Sequence, residues 1–166
     1  MSLLVVKVGG AVAASAARHV TAFASQHYEV VVVHGAGPQI TDEMIRRDLP
    51  VEFVAGRRVT SEAALEVIRE SLATVNAELC TAIGPLALPL PCGVLSAVRI
   101  PGLGLVGDPL PAAPKPIADA LAAGRIPVVA PLAHGPLNVN GDEAAAALAV
   151  GLQRSGSCSS RTSRAF

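Results

Sequence analysis

Aromatic side chains are nearly missing from this 166-residue chain: they make up 2% of it, and tryptophan is absent. Packing therefore falls to alanine, valine and leucine within a hydrophobic content of 51%, which suits closely stacked strands and helices. No apolar run approaches the roughly 18 residues of a membrane-spanning helix, so no membrane partner is expected. Cysteine is scarce as well. Cys80, Cys92 and Cys158 show neither metal-ligand spacing nor a paired framework, so reduced thiols and no metal site are expected. The amino terminus passes straight into Leu3-Leu4-Val5-Val6. It lacks the basic start, long apolar stretch and small-residue cleavage site of a signal peptide, and a cytoplasmic location is the expectation. Formal net charge is zero, but residues 1–152 carry ten basic and thirteen acidic side chains. So acidic a body lacks the electrostatic footprint of a nucleic-acid binder. The length suits one domain with a real core.

Two signals alternate as far as about residue 83. Leu3 to Val8 and Val30 to His34 are short β-branched runs ending in glycine, the pattern of buried parallel strands. Ser15 to Gln26 is Ala-rich and reads as a helix; Pro38 opens the first turn of another, continued by Gln39 to Asp48. Thr60-Ser61-Glu62-Ala63 starts a long helix whose apolar face is Leu65, Ile68, Leu72, Val75 and Leu79. Gly84 to Pro116 is rich in proline and glycine and reads mostly as loop, with a strand over Val94 to Ile100. A helix over Ile117 to Ala123, ended by Gly124, precedes a strand at Ile126 to Ala130. Asp142 to Leu152 forms a last Ala-rich helix. Alternating strands and helices predict an α/β fold: a mainly parallel sheet with helices on both faces, wound right-handed.

Four motifs carry chemistry. In Val6-Lys7-Val8-Gly9-Gly10 a lysine at a strand's carboxyl end runs into paired glycines. A lysine in a buried strand is costly unless it meets an anion, and glycines let backbone N–H groups approach one. The plainer alternative is a strand-end lysine beside an ordinary turn. Val33-His34-Gly35-Ala36-Gly37-Pro38 repeats the strand, glycines and helix. Two such loops on one sheet edge are what a phosphoryl-transfer site needs, one near the donor phosphate and one near the acceptor. His34 has no Ser or Cys partner and is read as structural. In Gly56-Arg57-Arg58-Val59-Thr60 an arginine could clamp a carboxylate through parallel hydrogen bonds; Arg57 is read as a solvated surface residue. Asn138-Val139-Asn140-Gly141-Asp142-Glu143 is a polar knot entering a helix, with more amides and acids than capping alone requires.

With these motifs in chain order, Leu3 to Leu152 resembles the acetylglutamate kinases of the amino-acid kinase family. The resemblance implies an αβα three-layer sandwich of which this chain holds the N-terminal half, the acceptor-binding part. It implies transfer of the γ-phosphoryl group of ATP, with Mg2+, to the side-chain carboxylate of N-acetyl-L-glutamate in arginine biosynthesis. It also implies a homodimer, paired through the long helix after Thr60. By the same resemblance Lys7 neutralises charge on the transferred phosphoryl group and Asp142 orients the catalytic lysines. Gly9 and Gly10 would supply N–H donors to phosphate, and Gly35, Ala36 and Gly37 donors at the acceptor. Arg58 would hold the substrate's α-carboxylate and Asn138 its amide and carboxylate end. Ala36 stands where the family usually has glycine, Ala55 where it often has asparagine, and the Pro-rich stretch before Ile117 is shorter than usual.

The family's nucleotide half and second catalytic lysine would follow Leu152. This chain has only Lys7 and Lys115, and Lys115 precedes the Asn138–Asp142 motif. Residues 153–166 are polar and lack apolar patterning where the family has a buried strand. One expectation is a disordered terminus; the sharper one is a shifted reading frame. GC-rich codons for Arg154 to Phe166, read two bases on, spell an apolar strand and loop similar to the family's next one. Two rival readings are a kinase for a related acidic acceptor such as an aminoadipate derivative, and a non-catalytic binding or dimerisation module.

Overall fold

The structure, a computed structural model, describes residues 2–161. Its central sheet holds four parallel strands in the order β1 (Leu3–Val8), β2 (Glu29–His34), β8 (Ile126–Val129) and β5 (Ala87–Leu90). A second sheet takes the order β6 (Ala97–Arg99), β7 (Val106–Pro109), β10 (Leu137–Val139) and β9 (Leu132–Ala133). Two residues each form the hairpin β3 (Phe53–Val54) and β4 (Arg57–Arg58). The helices are α1 (Ala13–Ser25), α2 (Gly37–Arg46), α3 (Glu62–Ile83), α4 (Lys115–Ala122) and α5 (Gly141–Arg161). A 3-10 turn at Gly10–Val12 leads into α1.

The three-layer sandwich follows from β2, whose valines alternate between two cores. Val30 and Val32 join Val20 of α1, Met44 of α2 and Leu65 to Ile83 of α3 on one face. Val31 and Val33 join Ile117 of α4 and Ala144, Leu148 and Leu152 of α5 on the other. Each fully buried valine contributes about 1.5–3 kcal/mol of transfer free energy, so this strand anchors both layers. Chain direction sets which helix goes where. From β1 to β2 to β5 the chain advances across the sheet, with α1, α2 and α3 on one face; from β5 it steps back to β8, and α4 lies on the other face. Right-handed crossovers require that change of face.

The first two strands and the long helix match the sequence reading. Ser61 caps α3, its Oγ accepting from the Ala64 N–H at 3.1 Å. The stretch from Gly84 to Pro116 corrects it. This supposed loop supplies β5, β6 and β7, and the strand expected over Val94 to Ile100 is confined to Ala97–Arg99. Pro89 is tolerated in β5 because that strand is an edge. Pro127 sits in the interior strand β8, where even-numbered N–H groups face β5: Ile126 donates to Leu86 and Ala130 to Leu90. The missing proline N–H thus faces β2, whose register with β8 begins only at Val128. Gly107 in β7 lies between two strands, and a Cβ there would stand 2.7 Å from Ala97 Cβ.

Helix α5 also runs beyond Leu152, through Arg161; residues 162–166 of the polar tail lie outside the described residues. Gly151 lets it meet the backbone of Ala112, since a Cβ would fall 2.1 Å from that carbonyl oxygen. Among the described residues, no helix is long and apolar enough to cross a membrane.

The β3–β4 turn gives a test. Ala55 and Gly56 have φ of 49° and 78°, the two left-handed positions of a two-residue hairpin turn. Alanine there costs about 1 kcal/mol that asparagine largely avoids. Ala55→Asn should therefore raise the unfolding free energy by about that amount and the urea midpoint with it, and an unchanged or lower midpoint would contradict the turn assignment.

Candidate active site

The carboxyl ends of β1, β2 and β10 converge on a cavity of about 190 Å³. Lys7, Gly35, Ala36, Gly37, Arg58, Asn138 and Asp142 all line it. The sequence reading put the two glycine loops on one sheet edge, and the structure brings residues of all four motifs together there. Lys7 Nζ lies 2.9 Å from an Asp142 carboxylate oxygen. Gly141 makes room for the lysine: a Cβ there would stand 3.1 Å from Lys7 Cε.

Arg58 is buried, and desolvation lowers its pKa, though guanidinium stays charged at any ordinary pH. One of its terminal nitrogens donates to Thr41 Oγ1 at 2.8 Å and the Gly37 carbonyl at 3.3 Å. The other faces Met44 Sδ at 3.5 Å, and the group lies 4.5 Å from the centroid of the Phe53 ring. These contacts take three of the five N–H donors and hold the fork rigidly.

Gly9 and Gly10 are not among the cavity's lining. Gly10 instead packs behind it, against the Gly35 and Ala36 backbone. The Gly35 N–H expected to serve the acceptor is engaged elsewhere, donating to the Val8 carbonyl at 2.9 Å. Extending the β1–β2 ladder by one residue consumes it. The Gly37 N–H, at the first position of α2, belongs to the group that helix geometry leaves without an intrahelical acceptor.

Arg57 also departs from expectation. Far from being a solvated surface residue, it lines the cavity and pairs with Glu143 at 2.9 Å and Asp108 at 3.6 Å. The helix cap proves to be Asn140, whose Oδ1 accepts from the N–H groups of Asp142 (2.9 Å) and Glu143 (3.2 Å). Its Nδ2 donates to the Gly56 carbonyl at 3.1 Å, tying the β3–β4 hairpin to α5. Thr60, read only as a helix start, is fully buried; its hydroxyl accepts from Asn138 Nδ2 at 3.1 Å and donates to the Arg58 carbonyl at 2.7 Å. A hydroxyl two residues beyond Arg58 was the only sequence signal for it.

His34 is structural. It is fully buried, its Nε2 facing Asn76 Nδ2 at 2.9 Å and its Nδ1 facing the Gly35 carbonyl at 3.4 Å. Asn76 Nδ2 also donates to the Val128 carbonyl at 2.9 Å. The amide donates to Nε2, so the ring proton sits on Nδ1 and the imidazole is neutral. Burial, the dominant cause, lowers its pKa to about 4 against the weaker upward pull of the Gly35 carbonyl.

The class is that of α/β proteins whose parallel sheet carries its ligand-facing loops at the carboxyl edge. The chain belongs to the amino acid kinase family, whose model matches residues 2–155. It is 43% identical to the acetylglutamate kinase of Kineococcus radiotolerans, over 74% of this chain and 50% of that protein. It is 42% identical to the acetylglutamate kinase of Rubrobacter xylanophilus, over 92% of this chain and 64% of that one. The chain thus spans between half and two-thirds of the length of these curated relatives. Among solved structures it resembles smu.665 from Streptococcus mutans UA159, with TM-score 0.75 and 26% identity over 91% of this chain and 69% of that one. An N-acetylglutamate synthase from Neisseria gonorrhoeae, complexed with coenzyme A and L-arginine, shares the fold with TM-score 0.74 and 23% identity, over 92% and 41%.

Because the folded-state pKa of His34 lies below its unfolded value, the unfolded chain takes up the proton first. Stability is complete above about pH 6.5 and falls toward pH 4, by up to on the order of 3 kcal/mol. Denaturation of the chain and of His34→Gln between pH 6.5 and 5 should show this slope only in the former.

Proposed function

We propose that this chain forms the acceptor-binding part of an acetylglutamate kinase. In that reaction the γ-phosphoryl group of ATP passes to the side-chain carboxylate of N-acetyl-L-glutamate. The single observation that carries the reading is one cavity holding Lys7, Arg58, Asn138, Asp142 and the first N–H of α2. The name borne by relatives at 42–43% identity supports it.

A carboxylate oxygen attacks the γ-phosphorus as the bond to the bridging oxygen of ADP breaks, and no proton moves. Charge spreads over the phosphoryl oxygens, so catalysis is positioning and electrostatics. In this reading Arg58 takes the α-carboxylate with the two donors its protein contacts leave, Asn138 takes the amide end, and Lys7 meets the phosphoryl charge. Asp142 holds the Lys7 ammonium at 2.9 Å. The residues present fit the donor side poorly. The only other lysine, Lys115, pairs with Asp119 at 2.6 Å at the start of α4 and does not line the cavity. Among the described residues no group of three or more His, Cys, Asp or Glu side chains could hold a metal ion, and Mg2+ in such reactions is held largely by the nucleotide's phosphates.

Calorimetry on this chain should detect N-acetyl-L-glutamate binding without ATP binding, and Arg58→Ala should weaken it by roughly tenfold to a hundredfold. Tighter binding of an aminoadipate derivative would redirect the acceptor assignment, and binding of neither ligand by a stable dimer would favour a scaffold. Normal turnover of this chain in an ADP-release assay would overturn the poor fit of its residues to the phosphoryl donor.

A further inference from the structure

Gly10 touches the second glycine loop backbone to backbone. A Cβ on Gly10 would stand 2.9 Å from both Ala36 Cα and the Gly35 carbonyl oxygen. Gln39, in the first turn of α2, closes this contact: its Nε2 donates to the Gly10 carbonyl at 3.1 Å. Its Oε1 is buried and has no hydrogen-bond partner among the described residues. Turning the amide over would set oxygen against oxygen, so the Gly10 bond fixes its orientation. A buried acceptor without a donor costs about 1–3 kcal/mol. An apolar side chain of the same length would remove that cost but also the donor to the Gly10 carbonyl, so the two effects oppose each other and stability alone gives glutamine little net advantage here.

We infer that Gln39 is a positioning residue that locks the Gly9–Gly10 loop against the Gly35–Gly37 loop. In a trans peptide the C=O and the next N–H point in opposite directions. Holding the Gly10 carbonyl toward α2 therefore turns the Ala11 N–H away from it. The Val12 N–H, bonded to the Gly9 carbonyl at 3.1 Å, orients the Gly10 N–H in the same manner. One amide thus sets the aim of the first loop relative to the second, whose other side faces Lys7 and the cavity. The inference rests on the proposed phosphoryl-acceptor role of that cavity.

The test uses Gln39→Met, which removes the donor and the orphaned oxygen together, and Gln39→Glu, which keeps the shape and sets a carboxylate against the Gly10 carbonyl. Amide hydrogen exchange and 15N spectra are recorded on the whole chain, with inorganic phosphate as the probe. In Gln39→Met, stability should stay close to that of the parent while exchange at Gly10 and Ala11 rises by roughly tenfold or more. Phosphate-dependent shifts at Gly37, which lines the cavity, should be relayed to Gly10 in the parent and be confined to Gly37 in both variants. Unchanged exchange at Gly10, or a loss of global stability that accounts for its increase, would overturn the positioning role. If the parent's Gly37 ignores phosphate, the proposed phosphoryl-acceptor role of the cavity fails, while the exchange comparison still decides the role of Gln39.

Discussion

A charged lysine must sit beside the positive end of a helix, and much of the site's architecture answers that constraint. Lys7 leaves the sheet at the carboxyl end of β1, where its register opposite Val33 of β2 is fixed, and reaches the first turn of α5. The N-terminus of a helix carries the equivalent of roughly half a positive charge, so Lys7 alone would be repelled. Asp142 and Glu143 stand in that first turn and reverse the local sign. The Lys7–Asp142 pair is not there for stability: its side chains are 33% and 78% exposed, and such pairs contribute about 0–1 kcal/mol. Its effect is geometric, fixing where the ammonium points.

The same few residues serve the fold and the cavity. Asn140 caps α5 with its oxygen and holds the hairpin tip with its nitrogen. Arg57 pairs from the hairpin to α5 and toward β7. The buried His34 and Asn76 join β2, α3 and β8 through one amide that donates to the ring and to the Val128 carbonyl. Cavity geometry here is therefore set by groups that also hold layers together.

What the sequence disclosed divides along physical lines. β1, β2 and α3 were legible because their burial is two-sided or periodic, and periodicity survives in one dimension. Lys7 drew notice at a strand end beside turn glycines, whereas Arg58 and Asn138 were singled out through the resemblance to acetylglutamate kinases; all three line the cavity. The strands between Gly84 and Pro116 were hidden because they are short, contain Pro89 or Gly107, and exist through pairing with distant segments. Arg57 was misread for a related reason: its partners Glu143 and Asp108 lie far along the chain. The Gly35 N–H was assigned to a ligand because its bond to Val8 comes from sheet register, which no local pattern announces.

The bend between β6 and β7 carries a consequence of its own. It is exposed at Pro101 and Gly102, and surface bends ordinarily tolerate changes of length. Here Leu103 accepts from the Thr60 N–H at 3.0 Å, Leu105 donates to the Thr60 carbonyl at 2.7 Å, and Gly104 between them leaves no room for a side chain. Thr60 in turn carries Asn138. A change of length that displaced Leu103 or Leu105 would thus be transmitted inward through Thr60 to Asn138, although the bend itself lies at the surface.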